Sequence, residues 1–202
     1  FVPSSCKFCL RTSYVSMKSY AALLLSTILV ISCAKEDELT TIPPIQEIIL
    51  FETGFDAGDQ DLNGWNLFYD YYAGVTYDTL VASDCPDGGN RALNLKAQKL
   101  HYSYAERYLT NISGQQVLNL NFYATLYSGQ NSLTATIAQI RNGTRIDESL
   151  LNTGVWNNWQ QFSVSDTFNL LTTDSILIRF QGTGSTYESS DSRLDRITVV
   201  LK

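Results

Sequence analysis

The sequence predicts an all-β fold, an antiparallel sandwich or barrel of about nine to eleven strands. After residue 45, hydrophobic residues recur at every second position, which is the period of a half-buried strand. Clusters of Gly, Asn and Asp separate these runs about every ten residues, and no stretch keeps a helical periodicity. Short alternating runs with frequent turns therefore indicate one β-domain over residues 45–202.

Four runs predict strands most clearly. In 117–127, Leu, Phe and Ala occupy the even positions, whereas Asn, Tyr and Thr occupy most odd positions. The other three runs alternate in the same way and comprise Leu133, Ala135 and Ile137; Ile176, Ile178 and Phe180; and Ile197, Val199 and Leu201. Between strands, the clusters 84–90, 128–131, 141–143 and 182–185 supply residues that favour tight turns.

The segment before the β-domain has the layout of a secretory signal. The single methionine, Met17, is followed by Lys18, by about eleven mostly apolar residues and by a small residue before Cys33. This apolar run is shorter than the roughly 20 residues of a membrane span. Residues 30–33, Val-Ile-Ser-Cys, resemble the lipobox of bacterial lipoproteins, which implies cleavage before Cys33 and lipidation of Cys33. The alternative is an ordinary signal peptide cleaved nearby.

These features divide the chain before the β-domain into three predicted parts. Residues 1–16 precede Met17 and are expected to be a non-native upstream extension, and residues 17–32 form the lipoprotein signal peptide. Residues 33–44 form an acidic tether that contains two consecutive prolines. Cys33 followed by Lys35 and acidic residues resembles the surface-export signal of Bacteroidota lipoproteins. The expected location is therefore the cell-surface side of the outer membrane, although the acidic run would also suit a plain solvated tether.

The charge balance argues against nucleic acid as a partner. The chain has 14 Lys and Arg against 20 Asp and Glu, a net charge of −6, and no basic cluster that could displace counterions from phosphates. Cleavage before Cys33 would remove three basic residues and no acidic one, so the mature net charge would be −9. Cys85 would then be the only unmodified thiol, which excludes a disulfide framework within the domain.

Five short segments resemble the jelly-roll modules with a galactose-binding-like fold, of which carbohydrate-binding modules of glycoside hydrolases are the best-known members. The segments are Phe-Glu-Thr-Gly-Phe at 51–55, Gly-Trp at 64–65, Arg-Ala-Leu-Asn-Leu at 91–95, the Trp-containing run 156–162, and Leu-Asp-Arg-Ile at 194–197. The resemblance implies a jelly-roll β-sandwich that acts as a monomeric domain and binds a glycan or polysaccharide.

In such modules a structural calcium often joins the first strand to the last, and Glu52 and Asp195 occupy the matching positions. Ca²⁺ takes six to eight oxygen ligands at about 2.4 Å, which carboxylates and loop carbonyls can supply. The sequence departs from the usual pattern at Arg196, which follows Asp195 directly. The alternative is a surface glutamate and a capping aspartate.

A competing calcium candidate lies earlier in the chain. The run 59–64 matches the pattern D-x-[DN]-x-[DN]-G, and a carboxylate follows at the twelfth position of the motif. The candidate ligands are Asp59, Asp61, Asn63 and Asp70. The flanking residues predict a loop and a strand rather than two helices, so an Asp/Asn-rich turn is the alternative.

Aromatic and amide side chains carry the prediction of glycan binding. The C–H faces of a sugar stack on aromatic rings, and its hydroxyls require amide or carboxylate partners. The predicted ligand-binding residues are Tyr69, Tyr71, Tyr72, Tyr102, Tyr104, Asn119, Asn121, Tyr123 and Tyr127. The alternative for each tyrosine is packing within or between the sheets, since tyrosine is common in strands.

The sequence predicts no catalytic activity. A glycosidase needs two carboxylates about 5–9.5 Å apart, and the domain has no close Glu-x-Asp pattern. His101 is the single histidine, and its neighbours show no nucleophile motif. The alternative to a glycan binder is a structural or adhesive module that contacts other surface components, which would present a flat apolar patch.

Overall fold

The structure, a computed structural model, describes residues 47–70, 80–82, 84–86, 88–98, 100–126, 132–154, 157–184 and 190–202. The chain divides into two units, Phe1–Pro44 and Ile45–Lys202, and all described residues belong to the second. In this described part, no helix is long and apolar enough to cross a membrane. Both sheets and the described core lie within Ile45–Lys202, and a domain of that size buries enough surface to fold alone.

Within the described residues, eleven strands form two antiparallel sheets that pack as a jelly-roll β-sandwich. The strands are β1 Ile48–Thr53, β2 Asn66–Tyr69, β3 Leu80–Ala82, β4 Arg91–Ala97, β5 Tyr102–Leu109, β6 Gly114–Leu126, β7 Ser132–Arg141, β8 Thr144–Thr153, β9 Gln160–Leu170, β10 Ser175–Thr183 and β11 Ser190–Leu201. Sheet A has the order β3-β4-β11-β6-β9 with β1 paired to β11, and sheet B has the order β2-β5-β10-β7-β8. A 3-10 helix spans Gly58–Leu62 between β1 and β2. The predicted all-β jelly-roll fold is confirmed.

The core forms where the alternating apolar residues of the two sheets meet. The even positions of β6, from Leu118 to Leu126, are 0% exposed, as their alternation predicts. From sheet B, Ile176, Ile178 and Phe180 of β10 are also buried. Because the Phe122 and Phe180 ring centroids lie 4.9 Å apart at 74°, an edge-to-face contact joins the two sheets near their centres.

Strand β11 organises sheet A. Its first half pairs with β4, its second half pairs with β1, and β6 lies along its other edge. The pairing with β6 shifts register between Asp195 and Thr198, and Arg196 adopts a φ of 46° at this irregularity. A bulge of this kind locally increases strand twist and re-aims side chains.

The close approach of the two sheets depends on Gly182 in β10. A β-carbon at this position would lie 2.7 Å from the carbonyl oxygen of Leu95 in β4. We expect Gly182→Ala to lower the free energy of unfolding by about 1–3 kcal/mol, because the sheets must separate to admit the methyl group. Urea titration measures this change. Gly154→Ala is the matched control, since no atom lies within 4 Å of its added β-carbon, and equal effects of the two substitutions would contradict the steric explanation.

A buried carboxylate fixes the turn between β9 and β10. Asp174 is 3% exposed and accepts hydrogen bonds from Arg141 Nε at 2.9 Å, Arg141 Nη2 at 2.8 Å, Gln139 Nε2 at 2.7 Å and the Leu171 amide at 2.9 Å. The hydrogen bonds from Arg141 hold the pKa of Asp174 well below its ordinary value, although burial opposes this shift. The charged form is therefore the form that the fold requires.

This lowered pKa predicts acid sensitivity. The stabilisation from Asp174 is complete above the unfolded-state pKa of about 3.9 and is lost as the pH falls from there towards the lower folded-state pKa. We expect Asp174→Asn to unfold at a lower urea concentration than the wild type at pH 7, with a smaller difference at about pH 3. A difference that stays constant with pH would contradict the role of the charged carboxylate.

Candidate functional site

The register of sheet B gathers aromatic and polar side chains on its outward side. Residues directly opposite each other on antiparallel strands point to the same face. Tyr104 lies opposite Phe68 of β2 and opposite Gln181 of β10, whereas the alternate residues Ser103 and Ala105 are buried. We call this surface the aromatic face; its central residues are Phe68, Tyr102, Tyr104, Glu106, Arg179 and Gln181.

Three rings at one end of the aromatic face lie nearly parallel. The Phe68 centroid is 4.9 Å from that of Tyr104 and 5.5 Å from that of Tyr102, and the tyrosine centroids are 6.3 Å apart. The angles between the ring planes are only 10–26°. Phe68 is 39% exposed and Tyr102 is 40% exposed, so apolar ring surface remains open to solvent. An exposed set of rings is suited to stacking against the C–H face of a sugar.

An ion pair holds the centre of the aromatic face. Arg179 donates from Nε to Glu106 Oε2 at 3.0 Å and also from Nη2 to the same oxygen. The guanidinium carbon lies 4.4 Å from the Tyr104 ring centroid, a cation–π contact. Both hydrogen bonds use Oε2, so Glu106 Oε1 and Arg179 Nη1 have no partner among the described residues. These two groups can accept from and donate to ligand hydroxyls.

A row of directly opposed residues crosses the whole of sheet B. Starting at β2, it consists of Phe68, Tyr104, Gln181, Thr134 and Asn152, one residue from each strand. With strands about 4.8 Å apart, the row is roughly 19 Å long. It begins with rings and continues with amide and hydroxyl groups; Thr134 Oγ1 donates to Asn152 Oδ1 at 2.7 Å. We call this set the cross-strand row.

A histidine and a carboxylate stand at the edge of the aromatic face. His101 Nδ1 and Asp70 Oδ2 are 2.9 Å apart, and the Asp70 amide donates to the Tyr102 carbonyl at 2.9 Å. Asp70 therefore lies at the far end of β2 from the 3-10 helix. Within the 3-10 helix, the Asp61 carboxylate accepts a hydrogen bond from the Ala57 amide at 2.8 Å.

The four candidate ligands of the competing calcium site are consequently not brought together in one loop. Asp59 and Asp61 lie in the 3-10 helix and Asn63 directly follows it, whereas strand β2 separates Asp70 from all three. Four extended residues span about 13 Å, too far for a shared ion with ligands at about 2.4 Å. Throughout the described ranges, no group of three or more His, Cys, Asp or Glu side chains could hold a metal ion.

The other calcium candidate consists of Glu52 and Asp195 on neighbouring strands of sheet A. Glu52 is exposed on β1 opposite Thr198, whereas Asp195 is 1% exposed on β11 opposite Tyr123. Two carboxylates alone do not fill a shell of six to eight oxygens. Calcium at this position stays a prediction.

The predicted glycan-binding residues do not share one face. Tyr102 and Tyr104 lie on the aromatic face, whereas Asn119, Asn121 and Tyr123 lie on the outward side of sheet A. They are divided between two surfaces, because β5 and β6 follow each other in sequence but belong to opposite sheets.

The remaining predicted residues have other positions. Tyr69 lies opposite the buried Ser103 and its hydroxyl donates to the Asn94 carbonyl of β4 at 3.0 Å, so its side chain points between the sheets. Its assignment to a ligand surface is therefore wrong. Tyr71, Tyr72 and Tyr127 lie outside the described residues, as does Cys33.

Sequence reasoning missed the polar half of the aromatic face. Arg179 and Gln181 alternate with the buried Ile178 and Phe180, and this alternation was the available signal that they point outward. Nothing local to β10 indicates that its neighbour is β5, because the paired residues Arg179 and Glu106 are 73 positions apart.

Comparisons with known proteins reveal the fold but no family. No protein-family model and no curated protein matches the chain. The CBM22-1 xylan-binding domain from Paenibacillus barcinonensis Xyn10C is 18% identical, with a TM-score of 0.53, and the match covers 76% of this chain and 94% of that domain.

Two longer structures also contain this fold. The CBM22-1–GH10 modules of Clostridium thermocellum Xyn10B, solved with xylohexaose, match with 13% identity and a TM-score of 0.54 over 78% of this chain and 29% of that one. The enzymatically active domain of bacteriophage CBA120 tailspike protein 4 matches with 15% identity and a TM-score of 0.53 over 70% of this chain. This chain spans only 20% of the tailspike structure and less than a third of the Xyn10B structure. The likeness therefore establishes a jelly-roll fold shared with carbohydrate-binding modules.

Proposed function

We propose that the aromatic face binds an oligosaccharide and that the domain acts as a non-catalytic carbohydrate-binding module. The cross-strand row carries this proposal, since it joins exposed rings to amide and hydroxyl groups over about 19 Å. Sugars require both kinds of partner, because they present apolar C–H faces and polar hydroxyls.

The order of groups along the row suggests how a ligand lies. A sugar unit near β2 would stack on Phe68 and Tyr102, whose surfaces are the open ones. The following units would pass over Gln181 and Thr134 towards β8. Arg179 and Glu106, two residues along their strands from this row, would hydrogen-bond hydroxyls along one side of the ligand. The ligand chain would therefore run across the strands rather than along them.

The spacing of the carboxylates on the aromatic face favours glycan binding without hydrolysis. Asp70 lies beside Tyr102, and Glu106 is four residues farther along β5, a separation of about 13 Å. Glycosidase carboxylates lie about 5–9.5 Å apart. Glu106 is also engaged by Arg179, which donates two hydrogen bonds to its Oε2 atom.

The proposal places this domain on a cell surface. A lipid on Cys33 and the tether 33–44 would hold the sandwich away from the outer membrane, and a calcium at Glu52 and Asp195 would join β1 to β11. The sequence motifs support the anchor, and the acidic net charge of −6 is compatible with a bound cation.

A glycan array probed with residues 45–202, with and without calcium, tests the proposed function. We expect binding to a subset of linear polysaccharides; xylohexaose is a first soluble probe because a structural relative was solved with it. If the calcium proposal holds, chelation lowers the melting temperature of the domain. A folded protein that binds no polysaccharide on the array would contradict the proposed function.

A further inference from the structure

The outward side of sheet A contains a pocket, on the opposite side of the sandwich from the aromatic face. Its volume is about 280 Å³, and its lining side chains include Asn121, Tyr123, Gln161, Arg196 and Thr198. Small-molecule sites generally measure about 300–1,000 Å³, so a pocket of this size suits one sugar unit rather than a chain. We call it the sheet A pocket.

The irregularity in β11 creates this pocket. Tyr123 lies opposite Asp195 and Asn121 lies opposite Thr198, so two residue steps along β6 match three residue steps along β11. The surplus residue places Arg196 in the left-handed region, with a φ of 46°, and leaves it exposed. A non-glycine residue in this conformation is strained by about 1–3 kcal/mol, and such strain clusters at functional sites.

The polar groups of the sheet A pocket are arranged to donate hydrogen bonds. The Tyr123 hydroxyl donates to Gln161 Oε1 at 3.4 Å, which orients the Gln161 amide and leaves its NH₂ group for a ligand. Asn121 and Thr198, directly opposite each other, add an amide and a hydroxyl. This set can satisfy the hydroxyls of one pyranose ring.

Arg196 is the one cation lining the pocket, and it forms no ion pair with the described residues. The nearest negative groups by register are Glu52, exposed on β1 opposite Thr198, and Asp195, which is 1% exposed. Neither carboxylate lies within 4 Å of Arg196 as an ion pair. No carboxylate of the described residues therefore pairs with the guanidinium, which can accept a ligand carboxylate, and Arg–carboxylate pairing is both strong and geometrically selective.

We propose that the sheet A pocket binds a single uronic acid unit, with its carboxylate on Arg196 and its hydroxyls on Asn121, Gln161 and Thr198. This site is independent of the aromatic face. A neutral chain on one side and an acidic sugar on the other would let one domain contact two glycans at once.

NMR of the side-chain amide signals of the domain measures uronic acid binding directly. We would titrate residues 45–202, labelled with nitrogen-15, with methyl β-glucuronide up to about 50 mM, above the millimolar Kd expected of a few exposed hydrogen bonds. We expect saturable shifts of the Asn121 and Gln161 NH₂ signals. Methyl β-glucoside should bind at least about fivefold more weakly, because it lacks the charge-assisted pair.

Substitutions separate this site from the fold and from the aromatic face. Arg196→Asn should abolish the preference for glucuronide while keeping the backbone, since asparagine tolerates positive φ. Gln161→Ala should weaken glucuronide binding without changing the preference for glucuronide over glucoside. Phe68→Ala should change neither the glucuronide affinity nor this preference. No saturable shift at Asn121 and Gln161, equal binding of glucoside, or full glucuronide affinity in Arg196→Asn would each overturn the proposal. None of these outcomes depends on whether the aromatic face binds a glycan.

Discussion

Replacing Phe68 and Tyr102 together with alanine is expected to weaken glycan binding by about 100-fold. Both rings are exposed in the free domain, at 39% and 40%, and a stacked sugar would bury them. Burying one such ring contributes about 1.5 kcal/mol at the low end of the usual range, so two contribute about 3 kcal/mol. Since every 1.4 kcal/mol is tenfold in Kd, isothermal titration with the best ligand from the array resolves the loss easily.

The control for this double substitution is Tyr123→Ala. Tyr123 is also a partly exposed strand tyrosine, but it lies on the outward side of sheet A. We expect the affinity for a neutral oligosaccharide to change less than about twofold, within the range of surface substitutions. Equal losses in both variants, or unchanged affinity in Phe68→Ala/Tyr102→Ala with the melting temperature preserved, would show that the ligand does not stack on the aromatic face.

Phe122→Ala is expected to cause the largest loss of stability, about 3–5 kcal/mol in the free energy of unfolding. Phe122 is 0% exposed and its ring contacts Phe162 of β9 at 5.5 Å as well as Phe180 of β10 at 4.9 Å. Alanine would leave a cavity at the junction of the two sheets, which the rigid surroundings cannot close. Urea unfolding monitored by tryptophan fluorescence measures the change.

Leu150→Ala is the matched control for the core substitution. Leu150 is a large apolar residue of a strand, but it is 52% exposed on β8. We expect it to change the free energy of unfolding by no more than about 0.5 kcal/mol. If Phe122→Ala cost no more than this control, the contact between the sheets would not be the core of the domain.

The sequence was sufficient for the fold because the information for each long strand is local. Along β6, every even residue from 118 to 126 is apolar and 0% exposed, so the buried face follows from the alternation alone. The same holds for Ile176, Ile178 and Phe180 in β10. A period of two in apolar residues is a direct consequence of strand geometry, and it needs no knowledge of the neighbouring strands.

The candidate site could be predicted only in part, because strand neighbours are set by long-range packing. The aromatic and amide composition identifies Tyr102 and Tyr104 as well as Asn119 and Tyr123 as candidates, but it does not reveal that β5 and β6 lie in different sheets. Tyr69 shows a second limit: it neighbours the exposed Phe68 in sequence but points inward to Asn94. The positions of aromatic residues in the sequence reveal neither which sheet a strand joins nor which face of a short strand a side chain occupies.

The most direct test of glycan binding on the aromatic face is to map the bound ligand by NMR. With the strongest neutral ligand from the array, we expect the largest shifts at the side-chain signals of Gln181, Asn152 and the Arg179 Nε–H, all on the outward side of sheet B. Signals of Asn119 and Ser165 on sheet A should stay unchanged. Shifts confined to sheet A, or to residues outside both sheets, would contradict glycan binding on the aromatic face.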